Sequence, residues 1–260
     1  MFIVFTDRPS DSPFIERVFR YTSERAGTFL SMATSQWMMV VTRVEGRLTL
    51  TVRGPETKAT PADCPAEGEW FGILFKTGTF MPKFPALSLM DRQDLTLPDA
   101  TSRSFWLNGA AWEYPTFENA EPFVNRLLRE GLIVQDATVT SALLGPLNGL
   151  SARSAQRHFL RATGLTHGTI YQIERARLAM NLLKEGFSIL DTVQAAGYYD
   201  QAHLTRSLGR FAGQTPTQII RGSQQLSLLY KTGLFGAITM TPSASENEGI
   251  GVQAVSVRRF

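Results

Sequence analysis

Arg153, Arg157 and Arg161 recur at four-residue intervals, with Gln156 beside the middle one. That interval stacks side chains along one face of an α-helix. Further along, Arg206 and Arg210 repeat it, flanked by Gln201, His203 and Thr205. A guanidinium forks onto phosphate oxygens or the major-groove edge of guanine, and a glutamine amide onto adenine. The chemistry on offer is recognition of a polyanion rather than bond cleavage. The alternative use of such stripes is as solvated helix faces, and their repetition weighs against it.

The elements that must position these residues are legible. Ser151 supplies an N-cap and Gly164 a C′ residue for a helix whose other face is Ala155, Phe159 and Ala162. A second helix begins at Asp200 or Gln201 and closes at Gly213, with Leu204, Leu208 and Phe211 inside and Ala202, Arg206 and Arg210 outside. Ahead of it, Ser188 caps a helix over 189–196 that Gly197 ends, so a tight turn joins the two in helix-turn-helix layout. The segments align as a degenerate repeat with an offset of 49 residues: Arg157 on Arg206, Phe159 on Leu208, Arg161 on Arg210, Gly164 on Gly213 and Thr166 on Thr215. Between them, 168–185 reads as one long helix of roughly 27 Å. That length brings the two Arg-bearing helices toward the ~34 Å between successive major grooves on one face of DNA. Arg175 is expected to pair within the long helix, and His158 and His167 to be turn or packing residues.

Composition agrees with a folded chain. Of 260 residues, 43% are hydrophobic and 19% charged, which excludes intrinsic disorder. The net charge of +3 is uneven: residues 1–120 carry net −2, whereas 151–222 carry net +5, with eight of nine cations arginine. The basic segment matches a nucleic-acid footprint confined to the second half. The single cysteine, Cys64, excludes a disulfide framework and a multi-cysteine metal site within one chain. No apolar run reaches membrane-spanning length, and the opening MFIVFTDRPSDSPF lacks the basic and apolar regions of a secretory leader. A cytoplasmic protein is expected.

The first half reads as strands. Residues 38–44 and 47–52 flank Glu45-Gly46, a hairpin turn, and 70–75 is a further strand. Short spacing of Pro and Gly, with no long helical pattern before residue 119, favours an antiparallel sandwich or barrel. Asn119 reads as the cap of a helix whose stripe Phe123, Val124, Leu127, Leu128 is a dimer contact or the seam joining the halves. The fold class is therefore α+β: an N-terminal antiparallel β-barrel or sandwich, then an all-α part with two helix-turn-helix motifs. Trp37, Trp70, Phe71 and Phe75 are candidates to line an apolar effector site, with core packing the competing use of the tryptophans, Trp106 and Trp112 included. A cupin-type enzyme on the barrel needs metal ligands, yet all three histidines, His158, His167 and His203, lie in the helical half. No nucleophile elbow, phosphate loop or dinucleotide fingerprint occurs. No catalytic residue, metal or cofactor is expected.

The stretch from about 139 to 222 resembles the AraC/XylS-type DNA-binding domain. The resemblance is carried by Ser151-x-Arg153-x-x-Gln156-Arg157-x-Phe159-x-Arg161-x-x-Gly164-Leu165, by Arg175-x-x-x-Ala179-x-x-x-Leu183, and by Gly197-Tyr198-x-Asp200-Gln201-x-His203-Leu204-x-Arg206-x-Leu208 with Gly213-x-Thr215-Pro216. It implies DNA contacts at Arg153, Gln156 and Arg157, and again at Gln201, His203, Thr205 and Arg206; Arg161 and Arg210 extend the two stripes. Departures are Gly145 and Pro146 in the first scaffold helix, Thr192 and Val193 in the second, and Gly209. The first half is similar, more loosely, to the sensor domain of such regulators. The resemblance implies a barrel-type sensor or dimerisation domain over 1–118, a helical linker over 119–138, the double helix-turn-helix over 139–222 and a C-terminal extension over 223–260, in which 239–251 is expected to be mobile. Double-stranded DNA is the implied partner, with RNA polymerase, a small-molecule effector and a second copy of the chain beside it. An interaction protein with a degenerate DNA module is the alternative.

Overall fold

The computed structural model describes residues 3–92, 94–144 and 151–222. Gly145, Pro146 and the extension over 223–260 lie outside the described residues.

Strands β1 (Ile3–Pro9), β2 (Ile15–Ser23), β3 (Gly27–Ser31), β4 (Met38–Val44), β5 (Arg47–Arg53), β6 (Thr60–Cys64), β7 (Glu69–Phe75), β8 (Thr79–Phe80) and β9 (Leu95–Leu97) build the first half with a 3-10 segment, Ala86–Arg92. One antiparallel sheet runs β1-β2-β7-β4-β5-β9. Among the described residues it is open at both edges, so the sandwich and not the closed barrel is the form taken. Glu45 and Gly46 both have positive φ, the two-residue hairpin turn that matches strand twist. Alternation in β7 sends Phe71, Ile73 and Phe75 to the main core, and Trp70 and Leu74 to a second apolar cluster with Phe19, Met38 and Val40. Gly72 is obligatory there: a Cβ on it would lie 2.0 Å from the Phe19 ring that covers it. Strands β3 and β6 pair with each other as a separate ribbon continuing from β2 and β7.

Strands β10 (Asp99–Thr101), β11 (Ser104–Leu107) and β12 (Ala110–Glu113) form a small sheet, followed by α1 (Ala120–Arg129) and β13 (Val134–Gln135), which pairs with β8. The α1 stripe packs inward, with Phe123 edge-on to Trp112 at 6.0 Å and to Phe105 at 6.4 Å. Asn119 departs from the expected cap: its side chain accepts from the Thr116 amide at 2.7 Å instead of from the helix. Arg8 of β1 grips Glu121 of α1 through two hydrogen bonds of 2.6 and 2.8 Å. That grip, opposed by partial burial, holds the Glu121 carboxyl down at about 2.

The second half is helical: α2 (Ala137–Leu144), α3 (Ala152–Thr163), α4 (His167–Lys184), α5 (Ile189–Ala195), α6 (Gln201–Phe211) and α7 (Pro216–Arg221). One contiguous buried cluster runs from the sheet through α1 into these helices. Among the described residues no helix is long and apolar enough to cross a membrane, and no group of three or more His, Cys, Asp and Glu is placed to hold a metal ion.

Candidate nucleic-acid interface

Helices α3 and α6 start and stop by the same local rules. The Ser151 hydroxyl accepts from the Ser154 amide at 3.2 Å, and the Asp200 carboxylate from the His203 amide at 2.6 Å. Gly164 and Gly213 end the two copies with φ of 67° and 70°, a conformation that favours glycine. Thr166 and Thr215, two residues on, cap α4 and α7 in the same way. The capping box of α7, Thr215 with Gln218, is a feature that the Thr-Pro-x-Gln spacing carries but that motif reading missed.

Burial separates two faces in each helix. In α3, Ala155, Phe159 and Ala162 are buried while Arg153, Gln156, Arg157 and Arg161 are exposed. In α6, Leu204, Leu208 and Phe211 are buried while Gln201, Arg206 and Arg210 are exposed, with His203 and Thr205 half-buried. Arg161 lies over the Phe80 ring at 5.7 Å, so its stem leans toward the β half. The Thr205 hydroxyl donates back to the Gln201 carbonyl at 2.8 Å.

His203 faces inward. Its Nε2 lies 3.3 Å from Arg175 Nη2, and its ring stands edge-on to Tyr198 at 5.1 Å. Arginine can only donate, so Nε2 is the accepting atom in this contact. Arg175 also donates to the Gly197 carbonyl at 3.3 Å and covers the Tyr198 ring at 4.3 Å. It also lies over the Tyr171 ring of its own helix at 5.7 Å, so it pairs within α4 as expected and in addition ties α4 to the α5–α6 turn. Within α4 the buried ion pair is Arg177 with Glu174, at 3.1 Å. Burial pushes the Tyr198 phenol up from its ordinary range, leaving a neutral hydroxyl 2.8 Å from Ser207 Oγ. An open depression beside the turn is lined by Gln194, Gly197, Tyr198, Tyr199 and His203. Tyr199, 92% exposed, stands immediately before the α6 cap. His158 pairs with Asp136 at 2.8 Å, and the His167 ring lies 5.1 Å from Phe159.

The candidate effector residues divide between two faces. Trp37 and Phe75, each 1% exposed, belong to the main core, and Phe71 packs against it. Trp70 lies on the opposite face, stacked on Tyr21 at 4.7 Å. Trp112 is buried, whereas Trp106 is 47% exposed. The indole of Trp37 donates to the Ala162 carbonyl at 2.9 Å. No sequence pattern announces that bond, since its acceptor is a backbone group any residue carries.

Residues 147–222 match the family described as a helix-turn-helix domain. Over 109 residues, 42% of this chain and 33% of the relative, the sequence is 31% identical to the HTH-type transcriptional regulator RipA of Corynebacterium glutamicum. It is 33% identical over 98 residues, 37% of this chain and 29% of the relative, to the regulator of that name from Corynebacterium diphtheriae. The chain thus spans about a third of the length of these curated relatives. No solved structure matches it.

Proposed function

We propose that this chain, whose residues 147–222 match a helix-turn-helix domain, is a cytoplasmic, sequence-specific transcription regulator of AraC type that reads two adjacent major grooves, one with α3 and one with α6. The observation that carries this reading is the pair of exposed faces on which Arg157 and Arg161 of α3 match Arg206 and Arg210 of α6 in the repeat, each backed by a buried apolar face. Residues in the first turns of a reading helix reach base edges. Arg153, Gln156 and Arg157 take that role in α3, and Gln201, Thr205 and Arg206 in α6. Arg161 and Arg210, in the last turns, take phosphates. His203 orients Arg175 and the turn behind α6, presenting only its outer edge to DNA. Residues 1–118 serve as the sensor or dimerisation part, joined through 119–138, and act on the reading part through a small effector or through a second copy. RNA polymerase is the further partner of the DNA-bound protein. None of these roles calls for catalysis.

Selection from a random duplex pool with the purified full chain tests the reading. The expected result is enrichment of a bipartite motif whose halves lie one helical turn apart. Affinity for it should fall with salt at a slope of roughly −0.9 per phosphate contact on a log–log plot. A pool that stays random, or a binding curve indifferent to salt, overturns the proposal.

A further inference from the structure

The two copies of the repeat meet the β half at the same point of their structure. Ala162 in α3 and Phe211 in α6 are equivalent residues, separated by the repeat offset of 49. Their carbonyls both sit at a helix C-terminus, where intrahelical donors run out. The Ala162 carbonyl accepts from Trp37 Nε1 at 2.9 Å, and the Phe211 carbonyl accepts from the Ala33 amide at 2.9 Å. Both donors come from the one connection between β3 and β4. A third bond, from the Ala59 amide to the Arg210 carbonyl at 2.8 Å, fastens the second copy again. The terminating glycines repeat the correspondence: the Gly164 turn sits against Ala86 and Met90, and the Gly213 turn against Leu30 and Ala59.

The connection that supplies the donors is stiff. Residues 31–41 are buried throughout. Thr34 exchanges backbone bonds of 2.9 and 2.8 Å with Glu56, and the Gln36 amide donates to the Phe75 carbonyl at 3.0 Å. Four residue steps reach at most about 14 Å, to which the Trp37 side chain and the two hydrogen bonds add, so the C-terminal ends of α3 and α6 are both tied to one segment that is itself bolted to the sheet. The exposed first turns lie one helix length away, roughly 16–18 Å for helices of 11 and 12 residues.

We infer that the Ala33–Trp37 connection is a spacer that fixes the separation of α3 and α6, and that Trp37 is the positioning residue through which the β half sets which half-site spacing the protein accepts. This rests on the DNA-reading role proposed for the two helices. Without the spacer, α4 and the remaining ties, the Ala59 bond to Arg210 and the packing of the Gly164 turn on Met90, would relate them, and small rotations at the end turns of α4 would let α6 follow a displaced half-site.

The test is a binding titration of the full chain with the selected duplex, with the same duplex carrying one inserted base pair, and with a duplex holding the α3 half-site alone. The insertion moves the second half-site by about 3.4 Å and a tenth of a turn. Wild type should bind the inserted duplex at least tenfold more weakly. Trp37→Phe keeps a ring in the core but deletes the donor to Ala162. It should shrink that ratio to about threefold or less while leaving half-site affinity within about twofold. A merely structural loss would weaken all three duplexes together and leave the ratio alone. A wild-type ratio in Trp37→Phe, or a wild type indifferent to the insertion, overturns the inference while leaving the DNA reading intact. Failure of the wild type to bind any duplex overturns both. Should Trp37→Phe not fold, Trp37→Met, which likewise lacks the N–H donor to Ala162, carries the same expectation.

Discussion

The two copies of the repeat, one ending at Gly164 and the other at Gly213, share their boundaries and differ in what lies between them. Both have a side-chain cap, an inner apolar face, a terminal glycine and a threonine cap for the next helix. In the first copy the aromatic ring sits mid-helix, at Phe159, with Ala162 beyond it. In the second the ring has moved to the end, at Phe211, with Leu208 in the middle. The first cap is the neutral Ser151 and the second the anionic Asp200, and Arg153 and Leu160 of α3 become Ala202 and Gly209 in α6. Backbone punctuation is held constant where the chain must turn and dock, while charge and packing drift where it faces solvent or core. On the reading proposed above, the first copy is the better built for holding phosphates, and the second for being held.

The sharpest break in that comparison is in the core. Phe159→Ala should destabilise the protein by about 3–5 kcal/mol and Leu208→Ala by about 2–5, toward the lower end, read from urea denaturation midpoints. A Leu208 variant as damaging as the Phe159 variant would show that the ring's position is immaterial. Next comes DNA affinity. Arg157→Ala should lose about 1–3 kcal/mol of discrimination, and more than Arg206→Ala, because α3 offers three aligned arginines above a neutral cap. Competition between the selected and a scrambled duplex measures it, and the reverse order would make α6 the principal reader. Asp200→Asn keeps a capping acceptor but removes a negative charge from the α6 N-terminus, where an approaching phosphate is repelled. A few-fold gain in affinity at low salt, with a melting temperature within about two degrees of wild type, is expected. The smallest effect is at Gly209, where a Cβ would meet nothing within 4 Å. Gly209→Ala should therefore stabilise the protein by about 0.5–1 kcal/mol, visible as a modest rise in melting temperature, and bring α6 nearer to α3 in stiffness.

What was legible in the sequence was local. Ser151, Ser188, Gly164 and the Glu45-Gly46 turn each act within a few residues of themselves, so the chain text around them is enough. Asn119 shows the limit of that logic, because an equally local acceptor found the Thr116 amide upstream rather than the helix. The exposed stripe of α3 and α6 was readable from four-residue spacing, whereas the inward turn of His203 was not, since it depends on Arg175 arriving from another helix. The β3–β6 ribbon and the bonds into Ala162 and Phe211 were invisible for a related reason. They join residues far apart and, the Trp37 indole excepted, use backbone donors and acceptors that carry no sequence signature.

The buried Met32–Trp37 connection has a consequence for the order in which the chain folds. Trp37 and its acceptor are 125 residues apart, and Ala33 waits longer still for Phe211. At ribosomal rates of about 5–20 residues per second, the interval between making the connection and making its last acceptor is on the order of ten seconds. Over that interval Glu56 and Phe75 can already hold the connection to the sheet, but the Trp37 indole and the Ala33 amide lack their acceptors, and Met32, Ala33 and Trp37 lack the helices that complete their cover. The helices nucleate locally and fast, so joining them to the sheet is the late, slow step of biogenesis, and nascent chains are most exposed to aggregation just before residue 211 emerges.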